Sequence, residues 1–190
     1  MPSKGCERHR HDTPAVIPAC HWHPNAGAAR LSHPGAVEGA ALWLTLEGSL
    51  TQALKARCRE HFAVEVLREC FDRPSFDEAR LLGLNDRELC WIREVHLRGD
   101  GQPWVLARTV IPLATLNGPG KRLRQLGRQP LGAYLFHHRR WQRGPLETGI
   151  ARQAGHDPAI GRRSCFRRGS HALLVSEFFY SQLLRARPAL

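Results

Sequence analysis

Two strand-like runs separated by a tight-turn signal stand out in the hydrophobic pattern of this chain. In residues 89–97 the alternation puts Leu89, Trp91, Val95 and Leu97 on one face, with Arg93 in the middle of it. Asp100-Gly101 is a two-residue hairpin signal, and residues 104–111 resume the alternation with Arg108 among Trp104, Leu106 and Val110. A symmetric turn pairs Leu97 with Trp104 and sets Arg93 directly opposite Arg108. Like charges on one apolar face repel, and an unpaired buried guanidinium costs several kcal/mol. The pattern calls for a carboxylate between them, from a bound ligand or from an internal partner such as Glu94 or Glu177. A one-residue bulge would undo the pairing.

Further along, residues 171–180 form an almost continuous apolar run in which Glu177 shares a face with Leu173, Val175 and Phe179. A carboxylate there either neutralises an arginine or holds and accepts a proton. Residues 127–136 read as a helix start, with Pro130 suited to the first helical position and the amides of Leu131 and Gly132 left free. Free amides of this kind form an anion site without a side chain, although most helix starts bind only water or a cap.

The remaining pattern predicts a mixed domain. Ser49 and Gln52 give a capping signal for a helix to about residue 60, with Leu50, Ala53, Leu54, Arg57 and Cys58 at helical spacing. Residues 62–71 alternate as a strand, and further helices are predicted over 121–126, 130–136 and 146–154. Hairpin-joined strands with segregated helices imply an α+β fold, an antiparallel sheet with helices packed on one side. Residues 1–38 are rich in Pro, Ala, Gly and His and are expected to be a flexible N-terminal extension; 39–180 form the domain and 181–190 a tail.

Composition narrows the function classes. A chain of 190 residues that is 42% hydrophobic suits one domain with a sizeable core. A formal net charge of +11 favours an acidic partner, either a small anion or nucleic acid. Residues 137–143 and 162–168 mix bases with aromatics as RNA binders do, but no nucleic-acid motif frames them, and such runs are mostly solvated faces. No nucleic-acid partner is expected. No run approaches the roughly 20 apolar residues of a membrane span and no signal-peptide core is present, so a cytoplasmic protein without stable membrane insertion is expected. Cys6, Cys20, Cys58, Cys70, Cys90 and Cys165 show no framework spacing and are expected to be reduced thiols. Cys6, His9, His11, Cys20, His21 and His23 match no standard zinc spacing, so no metal is expected.

An ordered set of motifs adds a family. These are Trp91-Ile92-Arg93-Glu94-Val95, Asp100-Gly101-Gln102-Pro103-Trp104, Ala107-Arg108-Thr109-Val110-Ile111-Pro112, Thr115-Leu116-Asn117-Gly118-Pro119, Pro130-Leu131-Gly132-Ala133-Tyr134-Leu135-Phe136, Gly161-Arg162-Arg163-Ser164 and Leu174-Val175-Ser176-Glu177-Phe178-Phe179. In order and spacing, from about Leu42 to Phe179, the set resembles the chorismate pyruvate-lyase family. The resemblance implies a carbon-oxygen lyase that cuts chorismate into 4-hydroxybenzoate and pyruvate, the first committed step toward ubiquinone, with no cofactor. It also implies roles: Arg93 for the ring carboxylate, the Leu131 amide as a further ligand contact, and Glu177 for the ring hydroxyl. Leu50 stands where the family has a pocket-lining methionine, a swap of similar volume. Ala107 replaces the usual glycine before Arg108 and brings a methyl near the site, and Gly48 replaces an aspartate. Arg108 is expected to steady the enolpyruvyl carboxylate. The product keeps the carboxylate and hydroxyl that the site grips, so release is expected to limit turnover and the product to inhibit. A monomer is expected. The family's fold is similar to ligand-binding domains of some bacterial transcription regulators, which raises the alternative of a non-catalytic sensor for a small aromatic acid.

Overall fold

The computed structural model describes residues 17–85, 87–137 and 141–185. Cys6, His9, His11 and residues 138–140 of the first basic run lie outside them. The strands are β1 (Cys20–His23), β2 (Phe62–Asp72), β3 (Cys90–Gly99), β4 (Gln102–Pro112), β5 (Gln142–Arg143), β6 (Glu147–Ala151), β7 (Ile160–Arg168) and β8 (His171–Phe179). They form one antiparallel sheet in the order β1-β6-β7-β8-β4-β3-β2, with β5 paired to β7. The helices are α1 (Ala26–Ser32), α2 (Pro34–Glu38), α3 (Ala41–Thr45), α4 (Leu50–Arg57), α5 (Phe76–Leu82), α6 (Leu113–Asn117), α7 (Leu131–His137) and α8 (Ser181–Arg185), with a 3-10 helix at Lys121–Gln125. The α+β class is as expected.

The β3-β4 hairpin decides which side chains meet. Asp100 and Gly101 take positive φ values of 51° and 76°, a primed turn that suits the twist of the flanking strands. The Asp100 carboxylate accepts hydrogen bonds from the backbone N–H groups of Arg59 (3.0 Å) and Glu60 (2.8 Å), which ties the turn to the end of α4. Gly99 pairs with Gln102 and Arg98 with Pro103, but Leu97 pairs with Val105, so Trp104 is a bulge. The Trp104 ring covers Gly99, where any side chain would overlap it, and the Trp104 carbonyl accepts from the Tyr180 N–H at 3.0 Å. The extra residue shifts β4 by one position, so Arg93 faces Thr109 and Arg108 faces Glu94. The two arginines therefore point to opposite sides of the sheet, contrary to the pairing expected from a symmetric turn.

Each face has its own core. One face buries Val95, Leu97, Val105 and Phe179 beneath Ala29, Val37, Leu44 and Leu54, and carries Ile111, Phe166 and Leu173 against Leu116, Leu123, Leu126 and Leu135. The reverse face sets Ile92, Val110 and Leu174 against Leu82 of α5, and Leu106 and Phe178 against Cys20. So most of the helices share one side, and α5 is the exception. It is delimited by a Ser75–Glu78 capping box and by Gly83 in the left-handed conformation (φ 70°).

Three expectations about the ends and one helix need correction. The boundary at residue 38 does not hold: β1 pairs with β6, and Ala29 and Val37 are buried in the main core. Short helices with few large apolar residues carry little periodicity, which is why this segment reads as flexible. Nor do residues 181–185 belong to a tail, because α8 buries Leu183. Residues 147–151, expected to be helical, are the strand β6. Its Thr148 and Ile150 are buried on one face, while Gly149 lies under Trp22, where a Cβ would come within 2.7 Å of the ring.

Candidate functional site

A cavity lies between the helix-covered face of the central strands and the helices α4 and α7. Period-2 alternation delivers its floor: Arg93 from β3, Ala107 and Thr109 from β4, Val175 and Glu177 from β8, and Arg162, Ser164 and Phe166 from β7. Leu50 and Thr51 of α4 and Leu131, Gly132 and Leu135 of α7 form the opposite wall. The two helices touch at Gly132, where a Cβ would come 3.2 Å from the Thr51 hydroxyl oxygen.

Four of the five expected site residues, Arg93, Glu177, Leu50 and Leu131, border this cavity. Arg93 is 2% exposed. It forms an ion pair with Glu69 of β2 and donates to the carbonyls of Gly127 (2.7 Å) and Gln129 (3.4 Å). Its guanidinium thus fixes the segment that leads into α7, and with it the position of Leu131. Glu177 accepts a hydrogen bond from Arg162 Nε at 2.7 Å. Arg162 is 1% exposed and also donates to the carbonyls of Trp43 (2.6 Å) and Leu46 (2.8 Å), which locks α3 and the chain after it over the sheet.

Arg108 is not at this cavity. On the reverse face it donates to Glu78 Oε1 at 2.8 Å and Oε2 at 2.9 Å, and it also pairs with Glu94. Burial works against its charge, but the carboxylates of Glu78 and Glu94 outweigh that and hold the guanidinium above its ordinary range. The physical reason for the displacement is the Trp104 bulge, and the internal partner Glu94 is one that the sequence offered. Arg163 behaves similarly. It pairs with Glu147 at 2.6 Å and with Asp77 of α5, and it lies 4.0 Å from the Trp22 ring centre.

Sequence reasoning missed Arg143 and Arg162 as cavity residues. Arg143 Nε donates to the Ser164 hydroxyl at 3.0 Å, and its Nη1 donates to the carbonyls of Glu47 at 3.2 Å and Leu46 at 3.4 Å. Burial, and then the nearby Arg162 charge, push the Arg143 guanidinium below its usual range. The available signal was the alternation Ile160, Arg162, Ser164, Phe166, a cation on a half-apolar face like that of Arg93. A basic-aromatic run hid it.

The arrangement suits a small flat anion. Val64, Val95, Leu97, Leu135, Phe166 and Val175 supply apolar walls, and three guanidinium groups, Arg93, Arg143 and Arg162, border the cavity with one carboxylate, Glu177. Burial pushes the Cys90 thiol up to about 12 and also raises that of Cys165, so neither is a ready thiolate nucleophile. Among the described residues no cluster of three His, Cys, Asp or Glu is placed to hold a metal ion, and no helix is long and apolar enough to cross a membrane.

The family described as chorismate lyase matches residues 29–187. A probable chorismate pyruvate-lyase of Marinobacter nauticus is 52% identical over 188 residues, covering 98% of each chain. A chorismate pyruvate-lyase of Serratia proteamaculans is 39% identical over 166 residues, 87% of this chain and 88% of its own. Among solved structures, the C-terminal domain of a histidine utilization repressor from Pseudomonas syringae covers 68% of this chain and 99% of its own, with TM-score 0.52 and 12% identity. PhnF from Mycobacterium smegmatis covers 92% and 94%, with TM-score 0.53 and 13% identity, and at such identities the likeness is one of fold alone. With the family matched over most of its length and a relative identical at half of the aligned positions, this chain belongs to the chorismate lyase family.

Proposed function

We propose that this chain converts chorismate into 4-hydroxybenzoate and pyruvate. The observation that carries the reading is the placement of Arg93 and Glu177 on one largely apolar cavity, with β4 between their strands. In the reaction the ether C–O bond to the enolpyruvyl group breaks and the adjacent ring carbon, which bears the hydroxyl, loses its hydrogen as a proton. The ring becomes aromatic, and the departing enolpyruvate takes up a proton to become pyruvate. Aromatisation supplies the driving force, so the protein's task is mainly to hold one conformer away from water. In this reading Arg93 and the Leu131 amide grip the ring carboxylate, Glu177 accepts a hydrogen bond from the ring hydroxyl, and Arg162 keeps the Glu177 carboxylate oriented. Leu50 supplies an apolar wall, and the Ala107 methyl lies on the floor beneath the ring.

The product retains both gripped groups, so its release limits turnover and it inhibits. We further propose a cytoplasmic monomer that needs no cofactor and feeds 4-hydroxybenzoate toward ubiquinone. The test is incubation with chorismate while both products are quantified; equal molar release is expected. The fold likeness to a repressor domain favours one second reading, a sensor of a small aromatic acid. A sensor would bind 4-hydroxybenzoate and release no pyruvate from chorismate.

A further inference from the structure

Among the guanidinium groups on the cavity, Arg143 differs in its partners. Arg93 is paired with Glu69, and Arg162 with Glu177. Arg143 donates to neutral oxygens, the Ser164 hydroxyl and the carbonyls of Leu46 and Glu47, and no ion pair joins it to a carboxylate among the described residues. The charges of Glu177 and Glu47 reach it only from farther away, while burial and Arg162 both act against its cation. A half-buried cation in this state has an unmet demand for an anion. It also stands at a boundary, because it lines both the inner cavity and an outer cleft formed by Pro24, Asn25, Leu44, Glu47 and Leu146.

Building on the lyase reading, we propose that Arg143 binds the second carboxylate of the substrate, the one on the enolpyruvyl arm. The strand order supports the assignment. β5 carries Arg143 opposite Phe166 of β7, and β8 and β4 separate β7 from β3, which carries Arg93. Counting β5 itself, four strand spacings separate the backbones of Arg93 and Arg143 by roughly 19 Å along the sheet, a distance that two long side chains close to the span of a small dicarboxylate. Glu177, on β8, lies between them. In chorismate the ring carboxylate and ring hydroxyl are para to each other, and the ether arm leaves from the carbon beside the hydroxyl-bearing one. A ring held by Arg93 at one end and Glu177 at the other therefore extends its arm beside Glu177, away from Arg93. Arg143 occupies that side. Arg162 is the neighbouring cation, but its charge is already matched by Glu177, with Nε directed to that carboxylate and Nη1 to the carbonyls of Trp43 and Leu46, and Arg108 is on the reverse face.

The assignment separates substrate from product, since 4-hydroxybenzoate lacks the second carboxylate. The experiment is calorimetric titration of chorismate and of 4-hydroxybenzoate into wild type, Arg143→Gln and Arg143→Lys, read with KM for chorismate where turnover occurs. Arg143→Gln should weaken chorismate binding and raise KM about 10- to 100-fold while 4-hydroxybenzoate affinity stays within about 3-fold. Arg143→Lys should recover part of the loss. Parallel loss of both ligands would assign Arg143 to holding the Leu46 and Glu47 carbonyls only, and unchanged chorismate affinity would also overturn the proposal. If the wild type binds both acids but releases no pyruvate, the lyase reading fails, and the same titration still decides the role of Arg143.

Discussion

Glu177 and Arg162 face each other across β7 and β8, and each is the other's charge partner on a largely apolar cavity. Replacing Glu177 with Ala leaves the 1% exposed Arg162 guanidinium without its carboxylate, which costs about 1 to 3 kcal/mol of stability in addition to turnover. Glu177→Gln keeps an acceptor oxygen, so denaturant melts should show most of the stability restored while turnover stays low. Equal activity in both variants and the wild type would remove Glu177 from the chemistry. At His96, which lies 3.0 Å from the Tyr180 hydroxyl, burial lowers the imidazole pKa against the opposing pull of Glu65. The unfolded chain takes up this proton near the ordinary value of 6.5, the folded chain only at lower pH. Between the two values the unfolded state binds more protons, so stability is full above about 6.5 and declines as pH falls below it. Melts across this range should show that slope, and His96→Gln should flatten it.

At the scale of elements, the Trp104 bulge assigns the arginines to two tasks. Alternation alone made Arg93 and Arg108 prominent, and both are buried, but the register depends on one residue that alternation does not report. Pro103, which cannot donate to the ladder, was the local sign that pairing changes there. With Arg108 on the reverse face, its ion pairs to Glu78 and Glu94 clamp α5 to the sheet. Arg108→Ala would leave the buried Glu78 carboxylate without a cation and Glu94 with Arg68 alone at 3.8 Å, and should destabilise by about 3 to 5 kcal/mol in urea melts. Gly161 shows how little freedom the site strands have. A Cβ there would come 2.6 Å from the Phe178 ring and 2.8 Å from the Glu177 carbonyl, so Gly161→Ala should force β7 and β8 apart and cost about 1 to 3 kcal/mol. Reduced turnover in the folded fraction is expected with it, because Glu177 and Arg162 move with those strands.

For the whole molecule, β2, the β3-β4 hairpin, β8 and the fold class were legible because these long strands carry apolar patterns, whereas β1, β5, β6 and β7 were not read as strands. Leu50, Arg93, Leu131 and Glu177 could be found through that pattern and the family motifs, and the fold brings them to one cavity. Arg162 had a signal in the alternation of residues 160–166 but was hidden in a basic run, and Arg143, on the two-residue β5, had none without the sheet order. The N-terminal elements escaped for a different reason: α1 and α2 contribute only Ala29 and Val37 to the core, too few for a periodic signal. Removing residues 1–38 should therefore destabilise the protein, and a truncated chain that melts like the full one would contradict this. The net charge of +11 should speed capture of a dianion, so the association rate with chorismate is expected to fall as salt rises, in stopped-flow binding.

The most direct measurement compares kcat/KM for chorismate in wild type, Arg93→Gln and Arg108→Gln, each normalised to its folded fraction. The division of the two arginines between the faces of the sheet predicts a loss of at least about 100-fold for Arg93→Gln, and a value within about 3-fold of wild type for Arg108→Gln. A large loss for Arg108→Gln with Arg93→Gln nearly unaffected would place the chemistry on the other face and contradict the account.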